Sequence, residues 1–118
     1  MMVCVLGTQK FQDYNFMARQ LEKVAKIDVI ATDGVGKTSR FAEQWAATKG
    51  ISFRVFKAEW HKHGKKATHA RKNELLDFSD MVIFFECGNG DRKDIQPNIN
   101  LAKKKAKTVL VFTLQTKF

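Results

Sequence analysis

The sequence holds one proline, two cysteines and one tyrosine among 118 residues, and each scarcity excludes something. A single proline, Pro97, and the lack of any low-complexity tract argue against a disordered or polyproline chain. Cys4 and Cys87 stand far apart and form no CxxC pair, so neither a disulfide framework nor a structural zinc site is indicated. Both are read as buried free thiols. Acidic residues are also scarce: 12 Asp and Glu against 21 Lys and Arg give a formal charge of +9. Such a field attracts phosphates, on nucleic acid or on a small ligand, without distinguishing the two. No apolar run approaches a membrane span, and the opening "MMVCVLG" lacks the basic lead and the length of a signal peptide. A soluble, cytoplasmic protein with no membrane partner is the expectation. The length suits one hydrophobic core, so residues 1–118 are read as a single domain.

What is present is a regular alternation. Short runs rich in Val, Ile and Phe, "MVCVL", "IDVIA", "ISFRVF", "MVIFF" and "TVLVFTL", predict five strands. Between them, apolar residues recur at helical spacing: Met17, Leu21 and Val24; Phe41 and Trp45; Leu75 and Phe78; Ile95, Ile99, Ala102 and Ala106. Four helices are predicted from these. Strict β-α alternation with nearly continuous apolar strands points to an α/β fold, a doubly wound parallel sheet of about five strands covered by helices on both faces. In such sheets ligands lie beyond the C-terminal strand ends. The loops expected there read "GTQKFQDY", "TDGVGKTS", "KAEWHKHGKKATHARK" and "ECGNGDRKD".

"TDGVGKTS" ends like a phosphate-gripping Walker loop, but the first glycine of GxxxxGK[ST] would fall at position 31, which is Ala31. Gly34 and Gly36 instead suit a tight strand-to-helix turn, with Thr38 or Ser39 capping the helix that follows. That helix start would still offer N–H groups to an anion. His61, His63 and His69 lie among lysines without an acidic or thiol partner at a supporting spacing, so no metal is expected. No other cofactor is indicated. Trp60 reads as a packing residue, with stacking on a base as the alternative. Lys103, Lys104, Lys105 and Lys107 fall at the end of the fourth helix, where cations complement the dipole. A nucleic-acid surface is the weaker reading, because helix-turn-helix, RNP and zinc-finger patterns are missing.

Residues 56–65, "FKAEWHKHGK", follow an F-x-A-[DE]-W-x-x-H-G-K order, and "GVGKTSRFAEQWAATKGI" follows G-x-x-G-[AV]-D…A-x-x-W-A, with Gly34, Ala42, Trp45 and Ala46 in place. In both, the chain resembles small phage and bacterial proteins of unknown function in the SLOG superfamily. "HARKNELLDFSDMVIFF" is similar to the H-x-R-K…S-D-x-x-I segment of the lysine-decarboxylase-like, cytokinin-activating phosphoribohydrolases of that superfamily, with His69, Arg71, Lys72, Ser79 and Asp80 matching. Departures accompany the matches. The first-loop G-S-R reads Gly7-Thr8-Gln9 with Lys10 beside it, and G-A-D reads Lys37-Thr38-Ser39. P-G-G-x-G-T-x-x-E corresponds to residues 86–94, keeping Gly88 and Gly90 but replacing Thr by Asp91 and Glu by Asp94.

The resemblance implies a Rossmann-like domain that binds a nucleotide or nucleotide-derived signal, of ADP-ribose or cyclic type, and works in bacterial or phage immune signalling. It places the ligand against Gly7, Thr8, Gln9, Lys10, Gly34, Gly36, Lys37, Thr38, Ser39, Arg71, Lys72, Gly88, Asn89, Gly90 and Asp91. It also implies a homodimer. The alternatives are a nucleotide N-glycosidase using Arg71 and Asp94, whose carboxylate is one methylene shorter than the family's, and a basic nucleic-acid binder. Arg71 could otherwise be a surface cation or pair with Glu74 or Asp77.

Overall fold

The computed structural model describes residues 1–59, 61, 64–88 and 90–114. The strands are β1 (Met2–Gly7), β2 (Val29–Thr32), β3 (Ser52–Val55), β4 (Met81–Glu86) and β5 (Thr108–Thr113). They form one sheet in the order β3-β2-β1-β4-β5, and every pairing is parallel. Helices α1 (Tyr14–Glu22), α2 (Gly36–Lys49), α3 (Ala67–Phe78) and α4 (Arg92–Lys104) provide the crossovers, and a 3-10 turn, Gly64–Lys66, leads into α3. The expected single parallel sheet flanked by helices is therefore observed.

Side chains alternate between two apolar layers, as the period of a strand requires. Val3 and Val5 of β1, Ile30 of β2 and Ile83 and Phe85 of β4 face one layer, with Met17 and Leu21 of α1 and Ala42, Trp45 and Ala46 of α2. Cys4, Leu6, Ala31, Val82 and Phe84 face the other, with Leu75 and Leu76 of α3 and Ile95, Ile99 and Ala102 of α4. Burial on both faces explains why the strands read as continuous apolar runs. Of the two cysteines, both free, Cys4 is fully buried as expected. Cys87 is only half-buried, because it follows β4 where the sheet gives way to loops.

Local signals fix the helix ends. Asp13 caps α1 by accepting from Phe16 N at 2.9 Å, and α2 stops at Gly50, whose left-handed backbone (φ 68°) turns its N–H back to the carbonyls of Ala46 and Ala47. Lys103 and Lys104 lie in the last turn of α4, Lys105 caps it and Lys107 lies beyond it, a shorter helix than the sequence pattern implied. Lys105 Nζ pairs with Asp77 at 2.7 Å, and so ties α4 to α3. Among the described residues, no helix is long and apolar enough to cross a membrane.

Candidate functional site

The winding of the sheet reverses between β1 and β4, so their outgoing connections part and leave a crevice at the C-terminal edge. A cleft of ≈ 300 Å³ opens there, lined by Leu6, Gly7, Thr8 and Gln9 of β1 and its loop, Asp33 and Val35 after β2, and Asp94, Ile95 and Asn98 of α4.

The floor depends on Gly7. A Cβ at this position would stand 2.4 Å from Thr38 Oγ1 and 3.1 Å from the Phe85 carbonyl oxygen, so only glycine lets the first turn of α2 approach β1 so closely. Beyond it, Thr8 N donates to Phe85 O at 3.0 Å and Phe11 N to Thr8 O at 3.2 Å. Phe11 is fully buried with its ring 5.1 Å from that of Phe85, which pins the β1 loop to the core.

The wall from β2 is a set of small turns. Gly34, at φ 74°, donates its N–H to Thr32 Oγ1 at 3.3 Å, and Val35 N donates to Asp33 Oδ1 at 3.0 Å. Val35 stands at the cap position of α2, where no side chain caps the helix. Thr38 and Ser39, expected to cap, lie inside the first turn instead. Ser39 Oγ is engaged with Thr32 Oγ1 at 2.7 Å, while Thr38 Oγ1 is buried against Gly7 without a hydrogen-bond partner.

The opposite wall starts at Asp91, the cap residue of α4, whose carboxylate turns back into the β4 loop and accepts from Cys87 N and Gly88 N, both at 3.2 Å. Burial pushes the Asp91 pKa up, but the neighbouring Thr8 hydroxyl and the backbone N–H groups of Cys87, Gly88 and Asp91 together hold it below the usual value. The Thr8 hydroxyl is near enough to favour that charge, yet stands outside hydrogen-bonding geometry. Glu86, at the end of β4, is buried and accepts from Arg92 Nε at 2.6 Å, Arg92 Nη2 at 2.5 Å and Thr113 Oγ1 at 2.5 Å. One turn further on, Asp94 and Asn98 share a face of α4 at i, i+4, and Asn98 Oδ1 is buried without a partner.

The charge of the cleft differs from that of its loops: its lining carries two carboxylates, Asp33 and Asp94, and no Lys or Arg. Of the residues singled out in the sequence, Gly7, Thr8, Gln9 and Asp94 line it. Gly34, Gly36, Lys37, Thr38 and Ser39 adjoin it through the α2 turn, with Lys37 exposed, and Gly88, Gly90 and Asp91 lie in the neighbouring β4 loop. Lys10, Arg71 and Lys72 do not line it. Arg71, in α3, is half-buried with its Nε unpartnered, and it forms no ion pair with Glu74 or Asp77 among the described residues. Arg71 and Asp94 are thus not brought together in the lining of the cleft. Asn89, Trp60 and His63 lie outside the described residues. His61 and His69 are exposed, and no metal-holding group of three His, Cys, Asp or Glu occurs among the described residues. Asp33, Val35 and Asn98 were not singled out, although a carboxylate directly after the second strand is a legible signal. Comparisons with protein-family models, curated proteins and solved structures give no match.

Proposed function

We propose that the cleft over β1 binds a nucleotide or a nucleotide-derived signal, of ADP-ribose or cyclic type, and that the chain is a SLOG-like binding protein of the cytoplasm. The observation that carries this reading is the meeting of an uncapped helix N-terminus, that of α2, with a cleft of hydrogen-bond acceptors at the switch point of the sheet. The first N–H groups of α2 and the charge of Lys37 suit a phosphate. Asp13 closes the N-terminus of α1, and Asp91 and Asp94 give that of α4 the wrong sign for an anion. Val35 lines the cleft and is 54% exposed, the largest exposure among the large apolar residues described, and it offers a surface for the flat face of a base.

Thermal unfolding in the presence of a panel of mononucleotides, cyclic nucleotides and ADP-ribose tests the reading. A ligand at 100 times its Kd adds about 2.7 kcal/mol, an easily read upward shift of Tm, and Lys37→Glu abolishes it. A panel at millimolar concentration with no shift refutes the reading. Asp94 in the cleft lining favours one second reading, N-glycosidic cleavage. In that case free base accumulates from a nucleoside monophosphate and Asp94→Asn stops its release.

A further inference from the structure

We infer that two copies of the chain join through the outer edge of β5, antiparallel about a two-fold axis at Val111, to make one continuous sheet. This surface is independent of the nucleotide reading. β5 ends the sheet, and its six residues pair with β4 in unbroken register from Met81↔Thr108 to Glu86↔Thr113. Such an edge is normally blunted by charge, proline or a bulge, because its unpaired N–H and C=O groups invite another strand. The opposite edge, β3, is only four residues long and carries Arg54. β5 reads "TVLVFT" and has none of these guards.

The hydrogen-bond phase of this edge is fixed. Leu114 N donates to Glu86 O at 2.8 Å, so residues 110, 112 and 114 turn their backbone groups toward β4, while Val109, Val111 and Thr113 turn theirs outward. No described residue bonds to those outward groups. Side chains follow the same alternation: Leu110 and Phe112 pack with the layer of α1 and α2, Val109 and Val111 with that of α3 and α4. Because α1 joins β1 to β2 and α2 joins β2 to β3, both run away from the β5 edge and leave Leu110 and Phe112 half-buried.

A second copy satisfies both alternations at once. Centred on Val111, an antiparallel pair sets Val109 opposite Thr113 of the other copy, Val111 opposite its counterpart and Leu110 opposite Phe112. Every outward-facing residue then falls in a hydrogen-bonded pair, giving about six N–H···O bonds. An axis normal to the sheet keeps each layer on its own side, so Leu110 and Phe112 meet twice as an apolar pair on the half-covered face. The edge itself is uncharged although each copy carries +9, so the dimer should tighten as salt screens that repulsion.

Sedimentation velocity of the full chain at physiological salt, from about 1 to about 100 μM, the span in which a small interface associates, is expected to show a rise to twice the monomer mass. Amide hydrogen exchange on the same samples identifies the surface: Val109, Val111 and Thr113 should slow several-fold with concentration, whereas Leu110 and Phe112, already bonded to β4, should not change. Val111→Pro removes an outward N–H and spares the bonds to β4, so the circular dichroism of the fold should persist while association weakens by at least about tenfold, the effect of two bonds lost at the axis. A chain that stays monomeric throughout overturns the inference. So does a dimer that leaves exchange at Val109, Val111 and Thr113 unchanged, one that loosens as salt is added, or a folded Val111→Pro that associates as tightly as the unaltered chain. If Val111→Pro does not fold, the exchange pattern of the unaltered chain decides alone.

Discussion

Replacing Arg92 with alanine is expected to cost about 1–3 kcal/mol at pH 7, with a pH dependence that identifies the cause. The Glu86 side chain is 3% exposed, and Arg92 gives it two charge-assisted hydrogen bonds at 2.6 and 2.5 Å. Removing one partner of a fully buried pair costs about 3–5 kcal/mol. Arg92 is 48% exposed, so water screens part of the interaction, and Thr113 goes on donating to Glu86 in the variant. The range above is what remains after that discount. Arg92 holds the Glu86 pKa below its ordinary 4.5, against burial, which raises it, and with the help of Thr113. A carboxyl whose pKa is depressed on folding adds stability above its unfolded pKa and loses it as pH falls through the folded value. The gap between the two proteins should therefore be full at pH 6–7 and close as the pH drops below 4.5. Urea unfolding followed by far-ultraviolet circular dichroism at a series of pH values measures it. A gap below about 0.5 kcal/mol at pH 7, the usual range for surface substitutions, refutes the reasoning. So does a gap that stays constant down to pH 3.

Three further outcomes follow from the same geometry. Gly7→Ala drives a Cβ into Thr38 and the Phe85 carbonyl and should cost about 1–3 kcal/mol in chemical denaturation; an unchanged midpoint would show that α2 can shift freely. Thr38→Val keeps the shape and removes a buried hydroxyl that has no partner, so ligand-free stability should hold or rise by up to about 1 kcal/mol, and a loss larger than that contradicts the assignment. Burial holds the Cys4 thiol far above its ordinary pKa, and burial followed by the Asp91 charge raises that of Cys87. With a disulfide reagent, Cys87 should react more slowly than a free thiol and Cys4 only on unfolding; equal rates for the two would be inconsistent with this packing.

The strands and the four long helices were legible because burial on both faces leaves apolar runs, and each run sits between amphipathic segments. The cleft was harder to read. Its loops look basic in the sequence, but side-chain direction follows the path of each loop. Arg92 turns back to Glu86, Lys37 and Lys10 stand in solvent, and Asp33 and Asp94 face the cavity. Asp33 passes for an ordinary turn residue beside Gly34 until strand order places it next to β1. Likewise, "GKTS" suggests capping hydroxyls, because register alone decides that Val35 and not Thr38 stands at the helix start. The position of Phe11 had no local signal at all: its burial comes from Phe85, a partner 74 positions away.

Strand order also sets when the cleft can exist. β1, made before the other four strands, sits at the centre of the sheet, and its edge toward β4 stays open until residues 81–85 arrive to pair with it. Non-local parallel pairing of this kind makes folding slow, and during synthesis it leaves an apolar strand waiting for its partner. The cavity joins residues 6–9 to residues 94–98, so a half-made chain has no complete site to offer. A ligand held there would stabilise only the finished sheet, and its capture would mark the moment at which the domain has closed on itself.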